Sequence, residues 1–437
     1  MSKRENFSTK LTFIMSSIGA SIGLGILWMF PFKLCKYGGA AFLIPYFLFT
    51  IVLGVVGLII ELTCGRYFKS GTMLGIRNIF NKKNKKGGVM IGLVPTLGML
   101  TVFSFYTVIT GWIIKYLYIS ITGEISHITP ATYFNQFAGS NESLMFSIIA
   151  LLWLTFVISL GVTNGIEKLN KVAIPAMFII FILITIRSVT LPNAMAGVRY
   201  MLIPDFKVLL NVETWIMAMG LAFFTSSLSG SVMVVYGSYI DERFDIPKSS
   251  LTIILFNTIG AILSAFAIIP AVFSFGIDLK SGPSLLFISL PLIFSSLPFS
   301  QVISTIFFTC VISAAISTAV AMMEVPVEAI MSNLNVKRKL ATFITALLSL
   351  LIIAPISLNI NLFESVVDAT SIIVSPLSVI ILSIIFFWNF KGNSLIDEIN
   401  IGSKYKVGKR FIFISKYVFI PLTVLIIILG LAYGGIG

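Results

Sequence analysis

The chain has 437 residues, 57% of them hydrophobic and only 11% charged, against ~25% charged in ordinary soluble domains. Its mean hydropathy of +1.03 leaves too little polar surface to cover a water-exposed globule, which argues against a soluble enzyme, a disordered chain or a nucleic-acid binder. The net charge of +13 comes from Lys and Arg gathered between long apolar runs, the distribution by which membrane proteins orient themselves.

A spanning helix needs roughly 20 mainly apolar residues. The first such run, 11–37, follows a polar tail, Met1 to Lys10, and continues without a small-residue cleavage site, so no cleaved signal peptide is expected. The second is 41–65, and the connection after it is strongly basic, from Arg66 to Lys86. After the third run, 90–121, the stretch 122–143 has no Lys or Arg. The fourth and fifth runs, 144–161 and 170–190, are joined through Lys168 and Lys171. The sixth, 213–239, leads through Arg243 and Lys248 to the seventh, 250–275. The run 287–330 exceeds one span and is read as a lead-in, Phe287 to Phe294, plus an eighth helix. The ninth to eleventh are 340–357, 362–388 and 411–434, with basic clusters at 337–339 and 404–410. Every second connection is thus basic. The chain reads as an all-α integral membrane protein of the cell inner (plasma) membrane, N-terminus cytoplasmic and C-terminus outside.

Two spans contain runs that a continuous helix would not choose. The first carries Gly19-Ala20-Ser21-Ile22-Gly23-Leu24-Gly25 in mid-membrane, and the sixth carries Phe224-Thr225-Ser226-Ser227-Leu228-Ser229-Gly230-Ser231. Each interior Gly costs ~1 kcal/mol relative to Ala, and Ser and Thr compete for backbone bonds. Close packing through small residues is the simpler account of either run alone. Their positions, each opening a set of five helices, point instead to an inverted-repeat transporter with its binding site at the midplane.

The residues around these runs resemble the neurotransmitter:sodium symporter family. The resemblance rests on Gly19 to Gly25, Phe30-Pro31, Gly38 to Tyr46, Glu61 and Gly65-Arg66-Tyr67. It continues through Tyr106, Trp112, Asn164 to Lys168, Pro204 to Phe206, Phe223 to Thr225, Asn257 and Ala319 to Pro326. It implies the LeuT fold, two inverted five-helix repeats (11–190 and 213–388) plus an eleventh helix (411–434), as in the short bacterial branch. It implies Na+ as the coupling ion and an amino acid as substrate.

By that resemblance one sodium site takes carbonyls of Gly19, Ile22 and Ala314 and hydroxyls of Ser317 and Thr318. Back-bonding of both hydroxyls to their own helix is the alternative. A second site takes Ser21, Thr225 and Asn257, but Ile26 replaces its remaining ligand. That site either persists with water or is lost, leaving single-ion coupling. Gly23 stands where amine carriers have an aspartate, which implies a free amino acid. Its carboxylate would meet the N–H groups of Leu24 and Gly25 and the Tyr106 hydroxyl. Its ammonium would meet carbonyls of Ala20, Ser21, Phe224 and Thr225 and the Ser227 hydroxyl. Val102, Phe224, Gly230, Thr318, Ala321 and Met322 would wall a side chain read as bulky, apolar or aromatic.

Ionisable residues at membrane depth are functional candidates because unpaired charge there is expensive. Glu61 resembles the family glutamate that bonds the unwound backbone of spans one and six. Glu324 is expected to satisfy backbone freed by Pro326. Asp368 matches an outer-gate acid whose arginine partner is Met29 here, with Lys33 one turn away as a substitute. Arg4 and Phe7 resemble the tail residues that close the inner gate beside Tyr239. His127 reads as a surface residue, and 391–410 as a solvated loop facing anionic lipid of the bilayer. One His and no acid pair, thiol–base pair or metal cluster at a shared depth leaves nothing for enzyme chemistry. A proton- or single-ion-coupled carrier, or a non-transporting amino-acid sensor, are the competing functions.

Overall fold

The computed structural model describes residues 5–276, 285–295, 299–389, 392–404 and 406–435. Arg4 lies outside them, as does Lys391 at the start of the last basic loop. Every regular element among the described residues is helical. The first crossing is a broken pair, α1 (Lys10–Ser21) and α2 (Leu24–Lys36), bent by 55°. Then come α3 (Gly39–Phe68), the short α4 (Thr72–Lys82), α5 (Gly88–Thr122), α6 (Asn141–Ser159) and α7 (Val162–Val189). The sixth crossing is also in two pieces, α8 (Val212–Thr225) and α9 (Val232–Gly237). It is followed by α10 (Ile246–Phe275), α11 (Ser300–Leu334), α12 (Arg338–Leu358), α13 (Ile360–Phe387), α14 (Gly392–Asn400) and α15 (Lys409–Tyr433). Nine of these are long and apolar enough to cross a membrane unaided, and the bent pair is a tenth.

Local chemistry sets the ends. Thr9 caps α1 in a reciprocal capping box with Thr12. Asn211, Asp245 and Ser140 each accept a backbone N–H at the start of α8, α10 and α6, and Pro247 sits in the first turn of α10. The two breaks arise differently. At the first, Ile22 (φ −80°, ψ 74°) and Gly23 (φ −95°, ψ −172°) leave the helical region. At the second, Ser227 and Gly230 adopt φ of +55° and +66°, so α8 cannot run on into α9.

Packing places both breaks at the centre. α11, buried along most of its length, runs past the first break and packs on α5 and α7. α3 meets α9 backbone to backbone. A methyl on Gly65 would overlap the Val234 carbonyl, and one on Gly237 would overlap the Leu62 carbonyl. The lead-in segment expected near 287–294 is a separate short helical piece. Its Phe287 is fully buried among Trp112, Tyr116 and Phe134, with ring centroids 4.9–5.7 Å away. The segment 391–410 is more than a solvated loop: α14 buries Leu395 and Ile399, and Arg66 Nε donates to Glu398 at 2.9 Å. Arg66 also donates to the carbonyls of Phe244 (3.0 Å) and Glu398.

Candidate functional site

The two breaks face one another across a cavity of about 1060 Å³. Leu24, the first residue of α2, donates its N–H to the Tyr106 hydroxyl of α5 at 3.0 Å. Ser227, in the second break, donates to the Ser21 carbonyl at 3.2 Å and leans on that of Ala20 at 3.5 Å. Gly25 is held to hydrogen because the Phe224 ring occupies the space of a side chain there. Gly23 is similarly confined, since a Cβ would lie 3.1 Å from the Tyr106 hydroxyl and 3.2 Å from Thr318. The cavity therefore has N–H groups and a helix N-terminus at one end and a cluster of carbonyl and hydroxyl oxygens at the other.

Ala20, Ser21, Gly23, Leu24, Gly25, Val102, Tyr106, Phe224, Thr225, Ser227, Thr318 and Met322 all line this cavity. Two residues expected as walls do not. Gly230 is turned away: its N–H goes to Glu61 (2.8 Å), its carbonyl accepts from Thr72 (2.8 Å), and its Cα abuts the Ser378 backbone of α13. Ala321 is buried on α11 outside the lining. Phe105, Ile109, Met217 and Phe223 stand on the wall instead. They sit on helices whose apolar faces are continuous all round, so no periodic signal marked the side facing the cavity.

Below the first break, oxygens converge. The Thr318 hydroxyl lies 2.9 Å from the Gly19 carbonyl and 3.4 Å from that of Ile22. Ser317 is buried next to Thr318 on α11 and Ala314 one turn earlier. Ser317 back-bonds to Ser313 at 2.9 Å. These are neutral oxygens without a carboxylate, a donor set suited to a hard cation of single charge. The residues of the second expected cation site are linked only in part, since Asn257 Oδ1 and the Ser21 hydroxyl are buried without a hydrogen-bond partner. Asn257 Nδ2 donates to the Thr225 carbonyl, and the Thr225 hydroxyl is engaged by Tyr46 (3.1 Å) and Leu221 (2.8 Å). The Ile26 side chain is apolar and buried, and its carbonyl accepts from Ser264 at 2.8 Å.

Glu61 accepts the N–H groups of Ser229 (3.0 Å) and Gly230 (2.8 Å), so the second break is anchored to α3. The expected companion bond to the first break is not formed among the described residues. Lys33 and Asp368 line the same cavity, Lys33 buried with its Nζ 3.7 Å from Met217 Sδ and Asp368 exposed. His127 is exposed on its loop.

The face bearing the basic loops is shut. Phe7 is buried against Phe13, Tyr236 and Tyr239, with its N–H on the Tyr239 carbonyl at 3.0 Å. Glu324 does not serve the backbone near Pro326. It accepts two bonds from Arg338 (2.7 and 2.9 Å) and one from Tyr239 (2.5 Å). Arg338 also pairs with Glu5 at 3.5 Å, and Ser8 bonds Glu167 at 2.5 and 2.6 Å. Arg338 was hidden in the sequence because the Lys337-Arg338-Lys339 cluster reads as a topology signal. The clue was Glu324, a buried acid in need of a cation.

The Sodium:neurotransmitter symporter family model matches residues 4–141 and 132–433. The chain is 33% identical over 448 residues to the uncharacterized sodium-dependent transporter YhdH of Bacillus subtilis, covering 98% of each. It is 30% identical over 430 residues to the sodium-dependent transporter MJ1319 of Methanocaldococcus jannaschii, covering 93% of this chain and 86% of the relative. The crystal structure of MhsT in complex with L-phenylalanine superposes with a TM-score of 0.86 at 29% identity, over 98% of this chain and all of MhsT. The fold is therefore of the LeuT type, a multi-pass membrane transporter and not an enzyme. The chain belongs to the sodium:neurotransmitter symporter family.

Proposed function

We propose that the chain is a sodium-coupled symporter that imports a bulky apolar or aromatic amino acid by alternating access. The observation that carries this reading is the polarity of the cavity floor. Leu24 N–H and Tyr106 at one end, and the Ala20, Ser21 and Ser227 oxygens at the other, complement the two charges of a zwitterion. The apolar wall of Val102, Phe105, Ile109, Phe224 and Met322 would take the side chain, and MhsT holds L-phenylalanine. In this reading Na+ is bound by the carbonyls of Gly19, Ile22 and Ala314 and the hydroxyls of Ser317 and Thr318. Ile26, which brings no ligand atom to the second site, favours a single coupling ion.

The basic-loop face is the cytoplasmic one, with the N-terminus inside and the C-terminus outside. The cavity is lined by Asn135, Ala138 and Gly434 at its mouth and by none of Phe7, Tyr239, Glu324 or Arg338, so this conformation opens outward. The segments 11–190 and 213–388 act as inverted repeats, with 411–434 as an added helix. The test is uptake of a panel of radiolabelled amino acids into proteoliposomes under sodium, potassium and proton gradients. Sodium-dependent uptake of aromatic or large apolar amino acids is expected. Uptake driven by a proton gradient alone refutes sodium coupling, and ligand binding without uptake under any gradient refutes transport.

A further inference from the structure

Asn170 of α7 is fully buried beside the first break, and the role just proposed for that region does not use it. Its Nδ2 donates to the Ile166 carbonyl at 2.8 Å. A carbonyl only accepts, so this bond fixes the amide orientation and points Oδ1 the other way. Oδ1 has no hydrogen-bond partner, and it faces Gly19: a methyl on Gly19 would overlap it. The residue it faces is the one whose carbonyl is 2.9 Å from the Thr318 hydroxyl.

A buried amide oxygen set against a glycine Cα–H with no hydrogen-bond partner is poorly satisfied, because a C–H contact is much weaker than an N–H or O–H bond. An alanine at this position would carry no such penalty. The retained oxygen lies against Gly19, whose carbonyl belongs to the neutral oxygen set, and an acceptor left open there fits a positive charge. We propose that Asn170 Oδ1 is a further ligand, direct or through one water, for the sodium ion between the first break and α11. α7 then forms a third wall of that site. The inference rests on the sodium reading above. It adds that the ion braces α7 just beyond its loosely wound start, Val162–Glu167, where the helix carries i→i+5 bonds.

The test needs no known substrate. Equilibrium binding of radioactive sodium, and the sodium dependence of thermal unfolding, are measured on the purified full-length protein for the native chain, Asn170→Ala, Asn170→Asp and Thr318→Val. Asn170→Ala is expected to raise the sodium Kd by about three- to tenfold, the effect of one lost neutral ligand. Its melting temperature in sodium-free potassium buffer should be unchanged or higher, because an unsatisfied buried oxygen has gone. Asn170→Asp places a charge in the same shape and is expected to tighten binding. Wild-type sodium affinity in both variants overturns the proposal while leaving the sodium reading intact. If Asn170→Ala fails to fold, an unchanged Kd in Asn170→Asp overturns it alone. Absence of sodium binding by the native chain itself removes the sodium reading, and this inference with it.

Discussion

Removing the charge of Glu324 should open the face that the structure shows closed. Its carboxylate is wholly buried and receives two bonds from Arg338 and one from Tyr239, while the Arg338 side chain is only 10% exposed. In Glu324→Gln the guanidinium keeps, among the described residues, only Glu5 as an anionic partner, at 3.5 Å and 43% exposed. Breaking a buried pair from one side costs about 3–5 kcal/mol. Part of that cost can be relieved if the tail lifts and water reaches Arg338. What resists lifting is burial of Phe7, worth about 1.5–3 kcal/mol, and the bonds from Phe7 and Ser8. The two sides are close in size, so the closed state should lose about 2 kcal/mol or more, a shift of at least ~30-fold toward opening. Hydrogen exchange of the segment 7–21 reads this directly, and protection there should fall by that factor. In Glu324→Leu/Arg338→Leu no charge is stranded, so protection should largely return. Unchanged exchange in Glu324→Gln, or equal loss in the double variant, would refute the argument.

Other perturbations have separable readouts. Tyr106→Phe removes one hydrogen bond to a charged group, about 1.5–3 kcal/mol, so apparent amino-acid affinity should fall by about ten- to a hundredfold while sodium binding in the absence of amino acid stays native. Ile26→Asn restores an amide oxygen beside Asn257 and Thr225; the sodium dependence of uptake should steepen, and an unchanged Hill slope would count against a second ion site there. Gly65→Ala drives a methyl into the Val234 carbonyl; a loss of about 1–3 kcal/mol should appear as a lower melting temperature and poor recovery of folded protein, whereas a neutral effect would show that the two backbones separate easily.

The sequence carried the crossings and both breaks well, for a physical reason. Apolar length and loop charge are summed over some twenty residues, so single exceptions do not erase them. The glycine and serine runs at 19–25 and 225–231 stood out because each contradicts the helix around it. Pairings across the fold were less legible. Glu324 looked local to Pro326 because only proximity in the chain was visible, while its partner Arg338 sat on the next helix inside a basic cluster. Gly230 reads in the sequence as part of the pocket wall, yet a positive φ and bonds to Glu61 and Thr72 make it part of a turn. Which face a residue presents at a helix break depends on one or two dihedral angles, and no periodicity reports them.

The interlocked glycines of α3 and α9 decide what can move separately. With Gly65 against Val234 and Gly237 against Leu62, the two backbones leave no room for a lubricating layer of side chains. A tilt of one drags the other, and the Glu61 carboxylate ties the break above them to the same body. The half-helix α1 meets its neighbours through side chains rather than backbone to backbone, and its N-terminal end is held by Phe7 and Ser8, contacts that can let go one at a time. A spectroscopic label on α3 would therefore follow α9 as a single rigid lever, while one on α1 would swing on its own hinge at Ile22 and Gly23.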